Sequence, residues 1–269
     1  MSEESTIQMS STPITIDRLK SDLFRIGVCE GDLLLVHSSL SSLGWVCGGA
    51  QSVIMALLSV LGPQGTLVMP SHSGDWSDPT NWSNPPVPNH WISIIKESMP
   101  AYDKNLTCTR KMGKISELFR LQPGVIRSEQ PQLSFSAIGP LAKTIINGEQ
   151  TFPQLGMNSP LGKCYELKAK VLLMGVDYDS NTCFHLAETL IPMMKSELCG
   201  SPILINGKRT WHEFIDFDYD SSDFLLCGEN FEMTDRVSIN DIGCGRSKLF
   251  SIIDAVDFAK KWLLINRKF

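Results

Sequence analysis

The sequence contains no apolar run that approaches the roughly 18 residues of a membrane-spanning helix. Its N-terminus, MSEESTIQMSSTP, carries neither the basic nor the apolar segment of a signal peptide. An excess of positive charge is also missing, because the net charge is -5 at pH 7, and this argues against nucleic acid as the main partner. These absences predict a cytoplasmic protein that acts neither in a membrane nor on nucleic acid.

Cysteine pairs typical of zinc sites and glycine motifs typical of nucleotide sites are absent as well. No two of the eight cysteines lie two or three residues apart, and neither G-x-x-x-x-G-K-[ST] nor G-x-G-x-x-G occurs. We therefore expect no metal site, and any phosphate group must be bound without these fingerprints. What remains is an ordinary globular composition, 42% apolar and 20% charged, with a length that suits one α/β domain over residues 1–269.

The apolar pattern near the N-terminus predicts a βαβ unit. Residues 14–26 carry apolar side chains at helical spacing, and Gly27 follows as a stop signal. Leu33–Val36 and residues 65–70 have the composition of buried strands, and the apolar segment 50–62 between them has that of a helix. A Ser/Gly-rich loop joins the first strand to this helix, as in many strand–loop–helix–strand units.

The rest of the chain continues with similar elements after one long irregular segment. Residues 71–110 are rich in Pro, Asn, Ser, Asp and Trp, which is typical of a functional loop or lid. Asn206-Gly207, between two β-like runs, is a strong hairpin signal. The other predicted elements are helices near 113–121, from Pro140, from Thr182 and over 246–263, and strands over 133–138 and 170–176.

The loop VHSSLSSLGWVCGGA lies between the first predicted strand and the next helix. Unpaired N–H groups at a helix start, together with serine hydroxyls and the helix dipole, form a site for a phosphate or pyrophosphate. The alternative is a serine-rich connection that binds no ligand. Composition alone does not decide between the two.

The segment MGVDYDSNTCFHLAE, at the end of a predicted strand, is the second candidate site. Thr182 is placed to cap the following helix, which sets His185 and Glu188 on one face, and Asp177 and Asp179 lie in the preceding turn. A neighbouring carboxylate suits a histidine that accepts a proton. The alternatives are a buried, hydrogen-bonded histidine without a catalytic role and a zinc-dependent hydrolase, which needs a further ligand. Three further histidines, predicted to be surface or loop residues, are His72, His90 and His212.

Six separated blocks, in order and at similar spacing, resemble the aminoglycoside N(3)-acetyltransferase family, especially its Bacillus-type members. They are VHSSLSSLGWVCGG, MPSHSGDWSDPTNW, MPAYDKNLTCTRKMGKISELFR, RSEQPQLSFSAIGP, NSPLGKCYEL and LLMGVDYDSNTCFHLAE, and the resemblance covers roughly residues 15–265. It implies an α/β fold: a three-layer α/β/α sandwich around a mixed, largely parallel sheet, with a long irregular loop region and a C-terminal hairpin. It also implies acetyl-CoA as donor and the 3-amino group of a 2-deoxystreptamine ring as acceptor.

The same resemblance assigns roles to individual residues. By its place in the block that ends in HLAE, His185 is implied to be the general base, and Glu188 holds its imidazole. Gln130 stands where members of the family have a histidine, and an amide can replace that histidine only in hydrogen bonding. The residues implied to bind coenzyme A are His37, Ser38, Ser39, Leu40, Ser41, Val46, Thr107, Thr109, Met112 and Gly113.

Charge suggests how a polycationic acceptor is bound. Asp75, Asp177 and Asp179 are predicted to hold its other ammonium groups through charge-assisted hydrogen bonds. Transfer is expected to be direct and to need no metal, with backbone N–H groups of the Ser38–Leu40 turn stabilising the oxyanion. Gln130 leaves a second interpretation open, a CoA-binding pseudoenzyme or regulator without turnover. The oligomeric state is also left open, a homodimer being one alternative.

Overall fold

The computed structural model describes residues 2–146 and 152–268. Its helices are α1 (Glu3–Met9), α2 (Ile16–Ile26), α3 (Gly49–Leu61), α4 (Ile92–Ser98), α5 (Gly113–Arg120), α6 (Ala142–Ile146), α7 (Pro160–Glu166), α8 (Cys183–Thr189), α9 (Phe224–Glu232) and α10 (Ile252–Asn266). Its strands are β1 (Leu33–Ser38), β2 (Thr66–Pro70), β3 (Ile126–Arg127), β4 (Phe135–Ile138), β5 (Lys170–Met174), β6 (Ser196–Ile205), β7 (Lys208–Phe217), β8 (Val237–Ile242) and β9 (Gly245–Ser251). Within these two ranges, no helix has the length and apolar character needed to span a bilayer.

Seven of these strands form one mixed sheet in the order β3-β4-β2-β1-β5-β9-β8, while β6 and β7 form a separate hairpin. β1 runs parallel to both β2 and β5, and the outer neighbours pair antiparallel. The predicted mixed sheet is therefore confirmed, with its parallel part confined to the three central strands. The predicted βαβ unit is β1-α3-β2.

The central strands are apolar throughout because helices cover both faces of the sheet. Side chains alternate between the faces of a strand, so Leu33 and Leu35 join the core formed with α6 to α10. Leu34 and Val36 join the opposite core, formed with α2, α3 and α5. The result is the three-layer α/β/α sandwich expected from the sequence.

Glycine ends several elements where the sequence predicted an end. Gly27 adopts the left-handed conformation, with φ of 111°, at the C-terminus of α2. In the β6–β7 hairpin, Asn206 and Gly207 have φ values of 51° and 75°. Two successive left-handed residues suit the twist of a two-residue hairpin turn.

Two predictions about secondary structure are corrected. The predicted helix over 246–263 begins only at Ile252, because residues 245–251 form β9 between β5 and β8. The side chain of Ser251 accepts a hydrogen bond from the Asp254 N–H and fixes this start of α10. The long loop over 71–110 is also less irregular than predicted, since it contains α4.

Candidate active site

The carboxyl ends of the three parallel strands meet at one edge of the sheet, where ligands gather in open α/β folds. β1 ends at Ser38, β2 at Pro70 and β5 at Met174. Two adjoining cavities lie at this edge. The inner cavity, about 330 Å³ in volume, is lined by His37 and His185 among others. The outer cavity, about 640 Å³ in volume, adjoins it at Ser38.

His185 and Glu188 form a close pair on α8. The Nδ1 atom of His185 lies 2.5 Å from Oε2 of Glu188, and the Glu188 side chain is completely buried. Spacing of three residues places both side chains on one helix face, as predicted. A carboxylate on Nδ1 fixes the tautomer with the proton on that nitrogen. Nε2 is then the lone-pair nitrogen available to the inner cavity.

Two aromatic rings pack against the imidazole of His185. The Tyr219 ring meets it edge-on with centroids 5.3 Å apart, and the Phe224 ring lies 4.7 Å away. The Tyr219 hydroxyl donates to Oδ1 of Asp216 at 3.1 Å, which fixes that ring. These residues come from the chain after β7, and sequence analysis missed them because no local spacing connects them to α8.

His37 is a neutral hydrogen-bonding group beneath the inner cavity. The backbone N–H of Thr182 donates to its Nε2 at 3.3 Å, so Nε2 is an acceptor, and the Thr182 hydroxyl lies 2.7 Å from the same atom. Burial, and secondarily the nearby His185, lower the pKa of His37 to about 3. Thr182 was predicted to cap α8 through its side chain, and this is wrong because its hydroxyl bonds to His37 instead.

His72, predicted to be a surface or loop residue, is a buried part of the inner cavity wall. Its ring packs edge-on against Phe135 with centroids 5.3 Å apart, and its carbonyl accepts the Arg110 N–H at 2.8 Å. Burial, followed by the charges of neighbouring histidines and Arg127, lowers its pKa to about 3. The sequence places His72 directly after β2, and this position at a strand end was the available signal.

The outer cavity brings together most residues implied to bind coenzyme A. Those that line it are Ser38, Ser39, Leu40, Ser41, Val46, Met112 and Gly113. In the part of the chain that the structure describes, Thr107 and Thr109 line neither of these two cavities. The Thr107 hydroxyl accepts the Asp103 N–H at 3.1 Å, and the Thr109 hydroxyl donates to Glu117 at 2.7 Å. These two threonines stabilise the loop before α5.

The outer cavity also has the features of an anion site. Gly49 and Gly113, the first residues of α3 and α5, both line it, so the positive ends of two helix dipoles meet there. Lys111 and Lys114 line it too and add positive charge. Sequence analysis missed both lysines, although they flank the predicted Met112-Gly113 contact.

The three predicted substrate carboxylates differ in their surroundings. Asp179 is exposed and lines the inner cavity. Burial acts most strongly on the pKa of Asp177 and raises it, but the hydrogen bonds from Lys248, at 2.5 Å, and from the Tyr178 N–H, together with nearby positive charges, outweigh burial and lower that pKa. Asp75 pairs with Arg110 at 2.9 Å and lies outside the inner cavity wall. Of the three, Asp179 lines the same cavity as His185, and among the described residues it forms no ion pair of the kind that holds Asp75 and Asp177.

The donor set around His185 does not suit a metal ion. Over residues 2–146 and 152–268, no group of three or more His, Cys, Asp or Glu residues is arranged to hold one. Both carboxylate oxygens of Glu188 are engaged, Oε2 by His185 and Oε1 by Arg267 and the Asp220 N–H. The described residues around His185 and Glu188 therefore do not supply the third ligand that a zinc-dependent hydrolase needs.

Comparison with known proteins decides the family. A sequence profile of the aminoglycoside 3-N-acetyltransferase family matches residues 35–264. The chain belongs to this family. It is 46% identical, over 97% of this chain and 96% of the relative, to the SPbeta prophage-derived aminoglycoside N(3')-acetyltransferase-like protein YokD of Bacillus subtilis, strain 168. It is 32% identical, over 98% of both chains, to aminoglycoside N(3)-acetyltransferase IX of Micromonospora chalcea. The predicted family and enzyme class, an acyltransferase, are confirmed.

Solved structures share the fold of this acetyltransferase. The crystal structure of YokD matches with a TM-score of 0.95 over 98% of both chains at 46% identity. AAC-IIIb, solved as a binary complex with CoASH, has a TM-score of 0.82 at 26% identity over 94% of this chain and 97% of that one. A mutant of AAC(3)-IVa in complex with a gentamicin has a TM-score of 0.82 at 29% identity over 96% and 92%.

Proposed function

We propose that the protein is an acetyl-CoA-dependent N-acetyltransferase whose acceptor is the 3-amino group of a 2-deoxystreptamine aminoglycoside. The observation that carries this proposal is the His185–Glu188 pair, whose imidazole lines a cavity that adjoins a second cavity lined by two helix N-termini and two lysines. Relatives solved with CoASH and with a gentamicin support the choice of the two substrates.

In this proposal, His185 accepts the proton of the attacking amine. Aminoglycoside amines are protonated in water, so one proton must pass to the solvent before the attack, and the neutral amine must lose a second proton as its bond to the acetyl carbon forms. Nε2 of His185 takes that proton, and Glu188 stabilises the resulting imidazolium through Nδ1–H. The C–N bond forms while the bond between acetyl carbon and sulfur breaks, and the proton then passes from His185 to the departing thiolate.

The donor would bind along the outer cavity. Its pyrophosphate or 3′-phosphate suits the helix N-termini at Gly49 and Gly113, with Lys111 and Lys114 as counter-charges. The thioester would then lie near Ser38, where the outer and inner cavities adjoin. Thr107 and Thr109 act indirectly, by holding the loop that carries Lys111.

Backbone donors for the acetyl oxygen follow from the turn after β1. The Ser39 N–H already donates to the Met174 carbonyl at 3.1 Å. A short 3₁₀ helix begins at Leu40, and the first N–H groups of a helix have no partner within it. We therefore assign stabilisation of the oxyanion to Leu40 and Ser41, which keeps Leu40 from the expected Ser38–Leu40 turn and adds Ser41.

The acceptor would present its reacting amine to His185 and a second ammonium group to Asp179. Asp179 lines the same cavity as His185, whereas Asp75 and Asp177 already pair with Arg110 and Lys248. Hydrogen bonds from ammonium groups to a carboxylate are charge-assisted and favour a polycation over a neutral amine. None of these steps uses a metal ion.

An acetyl-CoA consumption assay tests the proposal, with the acetylated nitrogen located by NMR. Gentamicin carries a 3-amino group on 2-deoxystreptamine, and streptomycin, whose streptidine ring bears guanidino groups instead, is the matched control. We expect CoA release with gentamicin but not with streptomycin, and an acetyl group on N3. Calorimetry that detects CoA binding, with no acetylation of any amine in a broad panel, would instead identify a CoA-binding protein without turnover.

A further inference from the structure

Arg267, which follows α10, reaches the carboxylate beside His185. Its Nη1 donates to Oε1 of Glu188, and its Nε and Nη2 donate to Asp223 at 2.6 and 2.5 Å. Nη2 also donates to the Asp220 carbonyl at 2.5 Å. The Arg267 side chain is 12% exposed. One guanidinium thus connects the end of the described chain, the loop after β7 and the active-site carboxylate.

Glu188 depends on these contacts because its side chain has no exposure to water. Oε2 contacts His185, which leaves Oε1 to be satisfied by the Arg267 guanidinium and, at 3.2 Å, by the Asp220 N–H. A buried carboxylate without enough donors takes up a proton or leaves its position. A neutral imidazole supplies one N–H donor and no charge, so it cannot hold this carboxylate alone.

We propose that Arg267 is a positioning residue for acetyl transfer, which keeps Glu188 ionised and oriented so that Glu188 in turn orients His185. The proposal rests on the proposed role of His185 as general base. Without Arg267, Glu188 would no longer be held ionised and in place, and the imidazole of His185 would no longer be fixed with its proton on Nδ1.

A purely structural role for Arg267 makes a different prediction. Its paired bonds to Asp223, and its position 5.7 Å from the centre of the Phe224 ring, attach the end of α10 to α9. If Arg267 did only this, its loss would lower stability and would affect turnover equally whether or not residue 188 were a carboxylate. The two roles are therefore separable by combining changes at Arg267 and Glu188.

Other charged or titratable groups lie around His185. Among the described residues they include Glu188 on the same helix, Asp179 in the preceding turn, Lys111 before α5, Tyr219 and Asp220 after β7, His37 on β1, His72 after β2 and Arg267 after α10. His37 and His72 stay neutral above about pH 3 because burial lowers the pKa of each to about that value. They therefore do not titrate in the range in which turnover is measured.

The first test is a double-mutant cycle on kcat. Arg267→Met should lower kcat on the order of 10-fold, as expected for the outer hydrogen-bond partner of a working histidine system, with little change in either KM. In the Glu188→Gln background the same substitution should change kcat by less than about twofold, because the interaction it acts through is already lost. Arg267→Lys, which keeps the charge, should restore part of kcat. Arg236→Met removes a surface pair with Asp254, 3.3 Å long, and is the matched control expected to leave kcat unchanged.

The second test does not require turnover. In protein labelled with ¹⁵N-histidine, Arg267→Met should move the imidazole ¹⁵N signals of His185 away from those of the Nδ1–H tautomer, relative to the unsubstituted protein and to Arg236→Met. This measurement separates the two proposals, since it reports on the Arg267–Glu188–His185 coupling even if no acceptor amine is acetylated. Unchanged imidazole signals of His185, or equal losses of kcat with Glu188 present and in the Glu188→Gln background, would overturn the role assigned to Arg267.

Discussion

Nδ1 of His185 lies 2.5 Å from Oε2 of Glu188, and the carboxylate is completely buried while the imidazole keeps some exposure. This arrangement fixes which imidazole nitrogen carries the proton. It also directs the basic nitrogen to the cavity rather than to the protein interior. The predictions below follow from this pair and from the groups that surround it.

Replacing His185 by alanine should abolish most turnover while CoA still binds. A positioned general base is worth roughly 10²-fold or more in rate, and Glu188 cannot substitute because it is buried behind the imidazole. The measurements are kcat by acetyl-CoA consumption and CoA affinity by calorimetry. His90→Ala, a change at an exposed histidine, is the control. Turnover close to that of the unsubstituted enzyme at pH 7 would remove His185 from the mechanism.

Replacing Glu188 by glutamine should reduce both turnover and stability. The amide lacks the charge that stabilises imidazolium and pairs with Arg267, and it has one acceptor oxygen where His185 and Arg267 each use one. Loss of one partner from a buried ion pair costs about 3 kcal/mol or more, so urea unfolding should show a clear decrease. Glu166→Gln, which removes an exposed pair with Lys163, is the matched control and should stay within about 0.5 kcal/mol. Equal unfolding free energies for both variants would contradict this account.

The parts of the fold that were predictable rest on local patterns. The βαβ unit follows from short apolar runs separated by a helical segment, and the β6–β7 turn follows from Asn206-Gly207. The boundary of α10 was not predictable in this way. Leu249 lies at helical spacing from apolar residues of α10, but pairing with β5 and β8 decides the conformation of residues 245–251.

The same distinction between local pattern and tertiary packing applies to the residues of the candidate site. His185 and Glu188 are three residues apart, so their contact could be predicted from the sequence alone. Thr182 was expected to cap α8, yet its hydroxyl bonds to His37, which lies 145 residues earlier in the chain. Tyr219 and Arg267 likewise contact the pair only through tertiary packing, and no spacing in the sequence indicates it.

The two buried histidines should make the protein less stable in mild acid. Burial lowers the pKa of His72 to about 3 from the usual 6.5. Below about pH 6.5, His72 therefore binds a proton in the unfolded chain but not in the folded chain. The free energy of unfolding decreases as the pH falls toward 3. For His72 alone, this amounts to about 2 kcal/mol between pH 7.5 and pH 5. The free energy of unfolding of His72→Gln, measured in urea, should therefore differ less between these two pH values than that of the unsubstituted protein, and the reduction should be that amount. The same change at exposed His90 should leave the difference intact, and an equal slope in both variants would contradict the prediction.

The lysines of the outer cavity should act on the donor and not on the acceptor. Lys111 and Lys114 lie beside the N-terminus of α5, where phosphate groups are expected. Lys111→Met and Lys114→Met should each raise the KM for acetyl-CoA by about threefold to fivefold at low salt, the upper range for a partly exposed charge pair. Lys208→Met, at the start of β7 in the exposed hairpin, is the control. An effect confined to the acceptor KM would place the phosphates elsewhere.

Recognition of a polycationic acceptor should depend on Asp179 far more than on Asp177. The two carboxylates are two residues apart, but Asp179 lines the cavity of His185, while Asp177 is held by Lys248 at 2.5 Å. Asp179→Asn should raise the acceptor KM by about threefold to fivefold at low ionic strength, with the acetyl-CoA KM unchanged. Added salt should shrink this difference, because the attraction between exposed charges is screened beyond about 10 Å at 0.1 M salt.

Asp177→Asn is the matched control for this prediction, since it removes the same charge from the same turn. Its main effect should be on stability, because it deprives the buried Lys248 of a partner, although Glu232, 3.4 Å from that ammonium, retains one interaction. Both acceptor KM values are measured at low and at high salt with one aminoglycoside. If neither substitution changes the acceptor KM at low salt, the ammonium groups are recognised by other carboxylates, and the acidic segment 213–235, which contains Tyr219, is the next place to test.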